Sequence, residues 1–202
     1  MLGQVMTIMA RPRHPHGFTM VELMIGLIIL GVLAAVALPA FQDFRLVQRL
    51  KAINAQVVTD MQFARAEAVS RNTFMRVSFR NNSAMTCYSL YITTDAVGNT
   101  RRCDCRLGAG SACPEGATEV RTVQIPASMS VSVRPAFAVS AFAFDHVTGT
   151  IAAVNTDTGS QVLDSFDIVS EIDTSRQLIT TIGRTGRPTV CGSNPNLGSP
   201  TC

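Results

Sequence analysis

His16–Ala40 reads HGFTMVELMIGLIILGVLAAVALPA. From Leu23 to Ala40 there is no charge, and a helix of that length is about 27 Å long, close to the hydrocarbon thickness of a bilayer. One carboxylate, Glu22, stands at the mouth of this run. Arg11 and Arg13 precede it, so the positive-inside rule predicts a cytoplasmic N-terminus and export of everything after Phe41. Glu22 then lies near the cytoplasmic edge, where a carboxylate reaches headgroups or water. On these terms the segment is a signal anchor with an interfacial acid. A cleavable secretory signal is a second reading, because Ala35-Val36-Ala37 fits the small-residue cleavage pattern. The apolar stretch is long for that purpose, and Pro39 falls just past the cut.

The rest of the chain bounds the possibilities. A length of 202 residues holds one ordinary domain plus an accessory segment. The mean hydropathy of +0.24 is concentrated in the apolar run, and the remainder reads as Ser/Thr/Gly-rich soluble protein. The formal charge of +3 includes Arg11 and Arg13, so a chain that loses its leader is nearly neutral. Global charge gives no avid nucleic-acid binder, and any such site must be a local patch. The six cysteines, Cys87, Cys103, Cys105, Cys113, Cys191 and Cys202, all follow the apolar run and read as disulfides of an oxidising compartment.

Gly17-Phe18-Thr19-Met20-Val21-Glu22-Leu23-Met24, with a basic leader before it and Pro39 after it, closely resembles the processing site of type IV pilins and pseudopilins. The resemblance implies cleavage between Gly17 and Phe18 by prepilin peptidase and N-methylation of Phe18. It also gives Glu22 a partner. The new amine on Phe18, with an ordinary pKa of about 7.7–8.0, is mostly charged at neutral pH. An unpaired carboxylate in a membrane or packed filament core costs on the order of 2.5–3.5 kcal/mol, so pairing with a neighbouring subunit's Phe18 selects registered docking. An intrachain pair one helical turn apart is the alternative, and the sequence leaves both open.

Beyond Pro39 the pattern turns amphipathic. Phe44, Val47, Leu50, Ile53, Val57, Met61, Ala64 and Ala68 form one stripe, with Arg45, Gln48, Arg49, Lys51 and Arg65 on the other side. The spacing predicts a helix from Phe18 to Ser70, kinked or locally melted near Gly31 and Pro39. After Arg71-Asn72 the period drops to two. Met75, Val77 and Phe79 alternate with Arg76, Ser78 and Arg80 as a half-buried strand. Thr86–Thr93, Glu119–Ile125, Phe137–Phe144, Ser165–Glu171 and Gln177–Ile182 read as further strands. Breaks fall at Asn81-Asn82, Gly98-Asn99, Pro126, Thr148-Gly149, Asp157-Thr158-Gly159 and Asp173-Thr174-Ser175. The expected class is α+β, a long N-terminal α-helix, transmembrane then amphipathic, packed on an antiparallel β-sheet domain. Helix followed by many short strands is similar to the FimT/GspH group of minor pilins and pseudopilins, and Gln62–Arg71 resembles that group's helix end. The implied organisation is a leader at 1–17, a transmembrane and filament-core half at 18–40, and a periplasmic globular domain at 41–202.

Catalysis is not expected. His14 and His16 fall in the leader, which leaves His146 alone in a turn, and one imidazole assembles no triad or His-rich metal site. Arg102-Cys103-Asp104-Cys105-Arg106 lacks Cys-x-x-Cys spacing, so disulfides are favoured over metal, and no cofactor is implied. Cys191 and Cys202 flank a turn-rich loop whose closure is worth roughly 2–3 kcal/mol, and the pair resembles the C-terminal disulfide loop of many pilins. A Cys103–Cys105 bond is sterically poor, which leaves Cys87 with Cys103 or Cys105, and Cys113 with the other.

Gly183-Arg184-Thr185-Gly186-Arg187-Pro188-Thr189 is the surface with the most chemistry, since guanidinium forks fit phosphate oxygens. FimT proteins of competent bacteria bind DNA through a C-terminal Gly-Arg-x-Arg motif. Here Gly186-Arg187-Pro188-Thr189 keeps the first arginine and has Thr189 for the second, with Arg184 upstream as a substitute. Double-stranded DNA is therefore a candidate ligand for Arg184 and Arg187, and an exposed turn with solvated arginines is the competing reading. Arg101, Arg102 and Arg106 either extend a basic patch or are ordinary loop charges. The resemblance implies a minor pilin of the inner membrane that joins other pilins in a helical filament. The alternative is a pseudopilin of a type II secretion machine.

Overall fold

The computed structural model describes residues 17–93, 102–137, 139–153 and 161–202; the side chains of Pro39, Ala40 and Gln161 are outside that description. The predicted breaks at Gly98-Asn99 and Asp157-Thr158-Gly159 also lie outside it, as do Arg101, His14 and His16. The chain divides into two units, Met1–Gln42 and Asp43–Cys202.

One helix, α1 (Met20–Arg71), runs through both. It starts two residues later than the Phe18 expected from the pattern, because Thr19 is its cap: the Thr19 hydroxyl accepts from Glu22 N–H at 3.2 Å. It is continuous past Gly31 and Pro39, so the local melting predicted there does not occur. A proline removes one backbone donor, a loss of one hydrogen bond that the rest of a 52-residue helix outweighs. The helix stops at Arg71 because Asn72 takes the left-handed conformation at φ 52°. Asparagine tolerates that conformation better than a branched residue does.

In the second unit the strands are β1 (Met75–Asn81), β2 (Met85–Thr93), β3 (Ala117–Pro126), β4 (Ser132–Pro135), β5 (Ala141–Phe144), β6 (Ile151–Ala153), β7 (Gln161–Val162), β8 (Ser165–Asp173), β9 (Arg176–Gly183) and β10 (Pro188–Gly192). They form two antiparallel sheets, ordered β3-β2-β1-β5-β6-β7 and β10-β9-β8-β4. The class is thus α+β, as the periodicity predicts. After β3 the chain crosses to the second sheet for β4 and returns for β5. The expected strand Phe137–Phe144 is therefore cut to Ala141–Phe144, and Phe137 is 66% exposed on the crossover. Phe166 of β8 joins the sheets, tilted against Phe142 at 4.4 Å and stacked on Phe79 at 6.0 Å between ring centroids.

Leu50, Ile53, Val57, Met61, Ala64 and Ala68 of the stripe are buried against both sheets, whereas Phe44 at its start is 57% exposed. Two buried polar residues of α1 share that face. Asp60 accepts from the Tyr88 hydroxyl on β2 at 2.7 Å and pairs with Arg121 of β3 at 2.7 Å. Asn54 accepts from the Thr180 hydroxyl on β9 at 2.9 Å. The helix is pinned to one sheet by the acid and to the other by the amide. Burial pushes the Asp60 carboxyl above its ordinary range, against the opposing pull of Tyr88 and Arg121.

β1 departs from its predicted half-burial, for Met75 through Phe79 are all buried, Arg76 and Ser78 included. Loop 102–116 covers the second face. Its Cys103 carbonyl accepts from the Ser78 hydroxyl at 3.0 Å, and its Cys105 carbonyl accepts from Gln124 Nε2 at 2.8 Å. Disulfides Cys87–Cys105 and Cys103–Cys113, with Cα separations of 5.7 and 4.2 Å, tie the loop down. A third, Cys191–Cys202, closes the C-terminal loop at a Cα separation of 5.0 Å.

One end of the second sheet carries a cluster of charge pairs. Hydrogen bonds from Arg176 and Ser175 hold Asp173 down to about 2 from its ordinary 3.8, and Arg176 also reaches Asp43 at 2.5 Å. Arg134 on β4 forks onto Glu171 at 2.8 and 3.1 Å and lowers its pKa. Both carboxyls are depressed in the fold, so the unfolded chain takes up their protons first as the pH falls. Their stabilisation is complete above about pH 5 and is lost between there and pH 2. Thermal melts followed by circular dichroism should fall over that window, and Asp173→Asn should flatten part of the slope.

Candidate assembly site and C-terminal hairpin

Two regions carry the chemistry singled out in the sequence. In the first unit, Thr19 and Glu22 build the first turn of α1, with Leu23 N–H donating to the Thr19 carbonyl at 3.1 Å. The Thr-x-x-Glu spacing is a capping-box pattern, a legible signal that the charge reading of Glu22 passed over. Phe18 is 84% exposed, and Val21, Leu23, Met24, Ile25, Leu27, Ile28 and their successors to Leu38 are exposed around the helix. Glu22 makes no ion pair among the described residues. Among the described residues one helix is long and apolar enough to cross a membrane.

In the second unit, β9 and β10 meet in the turn Gly183–Arg187, closed by Gly186 N–H to the Gly183 carbonyl at 2.8 Å and Gly183 N–H to the Arg187 carbonyl at 3.2 Å. Both predicted arginines lie on this turn and face solvent, Arg184 with a loose partner in Asp164 at 3.9 Å. Sequence reasoning placed Arg65 on the solvated side of α1. It is instead half-buried beneath the turn, where its Nε donates to the Gly149 carbonyl at 3.2 Å. A cavity of about 290 Å³ is lined by Gln62, Arg65, Gly186, Arg187 and Pro188. Gly186 has φ +73°, and a Cβ there would lie 2.9 Å from Arg65 Nε and run into the Gly149 carbonyl. Gly186→Val should therefore cost about 3 kcal/mol, from left-handed strain plus overpacking. Gly183→Ala, with open space around it, should stay within about 1 kcal/mol. Urea denaturation of the two variants checks the contrast.

The other candidate residues separate. Asp104 grips Arg106 in a bidentate pair at 2.5–3.1 Å, and Arg102 donates to the Ser140 hydroxyl at 2.9 Å. Arg106 is engaged within its own loop and Arg102 across to the segment before β5. His146 sits in a turn organised by Asp145, whose carboxylate accepts from Val147 and Thr148 N–H at 2.7 and 2.8 Å, and it packs edge-on against Phe74 at 4.9 Å. Among the described residues no group of three or more His, Cys, Asp or Glu is placed to hold a metal.

An exposed apolar helix, begun by a capped turn with one acid and continued into a two-sheet domain, is the architecture of a type IV pilin-like protein, and residues 12–38 match the prokaryotic N-terminal methylation motif. Residues 55–186 match the family described as Type II transport protein GspH, and the chain belongs to that family. Over 28 residues the chain is 68% identical to the type IV major pilin protein PilE of Neisseria gonorrhoeae, covering 14% of this chain and 17% of that protein. It is 64% identical over 28 residues to the fimbrial protein EcpC of Eikenella corrodens, covering 14% of this chain and 18% of the relative. The chain thus spans less than a fifth of the length of these curated relatives. No solved structure matches it.

Proposed function

We propose that this chain is a minor type IV pilin of the FimT type. Residues 1–17 form a leader that prepilin peptidase removes between Gly17 and Phe18, and Phe18 is then N-methylated. Residues 18–40 hold the protein in the inner membrane and later enter the core of a helical filament of other pilins, Pro39 within that packed half. Residues 41–202 form its periplasmic domain. The Phe18 ammonium pairs with Glu22 of a neighbouring subunit. The observation that carries this reading is the helix itself: it exposes apolar side chains all round, and Glu22 is the sole charge between Phe18 and Ala40. Such a surface demands either lipid or other helices of the same kind. Intact mass of the protein isolated from cells tests it. Loss of residues 1–17 with one added methyl is expected, and a chain beginning at Met1 or Leu38 overturns it.

The exposed turn arginines favour a second activity within the same protein, contact of Arg184 and Arg187 with double-stranded DNA during uptake. The family match to a type II transport protein favours the alternative of a secretion pseudopilin. Pilus or secretion genes beside the coding sequence discriminate between these.

A further inference from the structure

Arg65 has no reason to be an arginine if its task is to cap one carbonyl. Its Nε does that alone, and its two terminal amino groups meet no acceptor among the described residues. Two separate turns nevertheless give way to it. Gly149, at φ +65° between β5 and β6, would carry a Cβ 3.0 Å from Arg65 Nη2, and Gly186 between β9 and β10 would place one 2.9 Å from its Cδ. The guanidinium is thus held against backbone on two sides, and it lines one cavity with Arg187. Neither arginine forms an ion pair among the described residues, and no carboxylate lines the cavity. Asp164 stands loosely by Arg184 at 3.9 Å, and the Asp145 carboxylate is turned to the N–H groups of its own turn.

Arg65 and Arg187 both line this cavity with no carboxylate beside them, and a tetrahedral oxyanion there offsets two positive charges while accepting from both forks. We infer that the notch between α1 and the β9–β10 turn is a site for one phosphate group of a nucleic-acid backbone, gripped by Arg65 from the helix and Arg187 from the turn. Gln62 supplies an amide at the rim. The choice of nucleic acid rests on the DNA reading of the turn given above, whereas the anion site rests on the cavity alone. Arg184, outside the notch and near Asp164, has the lesser role.

The test has two arms, both on the full chain in detergent micelles. In the first, Nε–H resonances of the arginines are followed by NMR during titration with inorganic phosphate, against sodium chloride at matched ionic strength. Saturable phosphate-specific shifts at Arg65 and Arg187, with Arg106 unmoved, are expected; their absence overturns the site. In the second, duplex DNA binding is measured by anisotropy across salt concentrations. Arg65→Gln and Arg187→Gln should each weaken binding by about 3–10-fold at low salt and lower the salt slope by about 1. The double variant should lose less than the product of the two, since both hold one phosphate. Arg65→Lys should keep the slope and lose part of the affinity, which a merely structural role would not produce. If the unmodified protein binds no DNA, the DNA reading of the turn fails and the phosphate titration alone decides the notch. If DNA binds and Arg187→Gln weakens it while Arg65→Gln leaves the slope unchanged, the turn reading stands and the notch assignment to nucleic acid falls.

Discussion

Glu22→Gln should lower the fraction of this protein in sheared filaments by at least about tenfold, with its level in the membrane unchanged. The substitution is chosen because Glu22 has two separable roles. It sits in the first turn of α1, where Thr19 accepts its N–H at 3.2 Å, and glutamine serves a capping box nearly as well as glutamate does. Helix initiation is thus preserved while the charge is removed. If the carboxylate meets a neighbour's Phe18 ammonium in an apolar core, neutralising it strands that ammonium. The cost is then of the size of an unpaired intramembrane charge, about 2.5–3.5 kcal/mol, and about 1.4 kcal/mol is already a factor of ten in partition. Thr19→Val makes the complementary change, removing the cap and keeping the charge, and should cost only about 1 kcal/mol of helix stability. Quantitative immunoblots of sheared and membrane fractions give both numbers. Equal incorporation of Glu22→Gln and unmodified protein refutes the intersubunit pair, and a larger defect for Thr19→Val assigns Glu22 to the cap.

The contrast between these two roles also marks what a sequence makes legible. Gly17 through Met24 announces itself because its pattern is local: the glycine, the phenylalanine and the acid lie within two turns of chain. The α1 stripe is legible for the same reason, since its period is written along one element. Burial of Arg76 and Ser78 was not, because alternation in β1 predicts one wet face, and the cover comes from a loop whose position depends on cysteines far along the chain. Short strands were missed as well. β4, β6 and β7 run over Ser132–Pro135, Ile151–Ala153 and Gln161–Val162, too short for a period of two to show. Arg65 was misplaced because a charged residue at the edge of a helical stripe reads as solvated. Only the arrival of two glycine turns from β5–β6 and β9–β10 makes it half-buried. Asp60 and Asn54 escaped by the same logic, as buried polar groups identified by partners on other elements.

Removing Cys87–Cys105 and Cys103–Cys113 together, by serine at all four positions, should lower the melting temperature by roughly 10–20 °C. The bonds span 18 and 10 residues, and the chain-entropy relation gives roughly 3 kcal/mol for each. At about 2–4 °C per kcal/mol for a domain of this size, the pair accounts for that drop. Entropy is only part of it. Without its staples the 102–116 loop keeps the Ser78 and Gln124 contacts at 3.0 and 2.8 Å and the Glu119 carboxylate on Gly110 N–H at 2.9 Å. These few hydrogen bonds are worth about 1 kcal/mol each and must then hold the loop over a strand whose second face is polar. Opening wets Arg76 and Ser78, and the lifting of that cover should appear as faster amide exchange in β1 and β2 before global unfolding. The Cys191–Cys202 bond spans a similar length, 11 residues, yet its loss should move the melt much less. It closes a terminal loop held to the domain by Leu197 and by Gly192 N–H to the Pro200 carbonyl at 2.7 Å, so the tail frays by itself and leaves the sheets paired. Loop length alone predicts equal effects for the 10- and 11-residue closures, whereas a covering role for the first predicts unequal ones. Calorimetry of Cys103→Ser/Cys113→Ser beside Cys191→Ser/Cys202→Ser decides between them, and matching melts would show that the loop over β1 contributes through chain entropy and not as a cover.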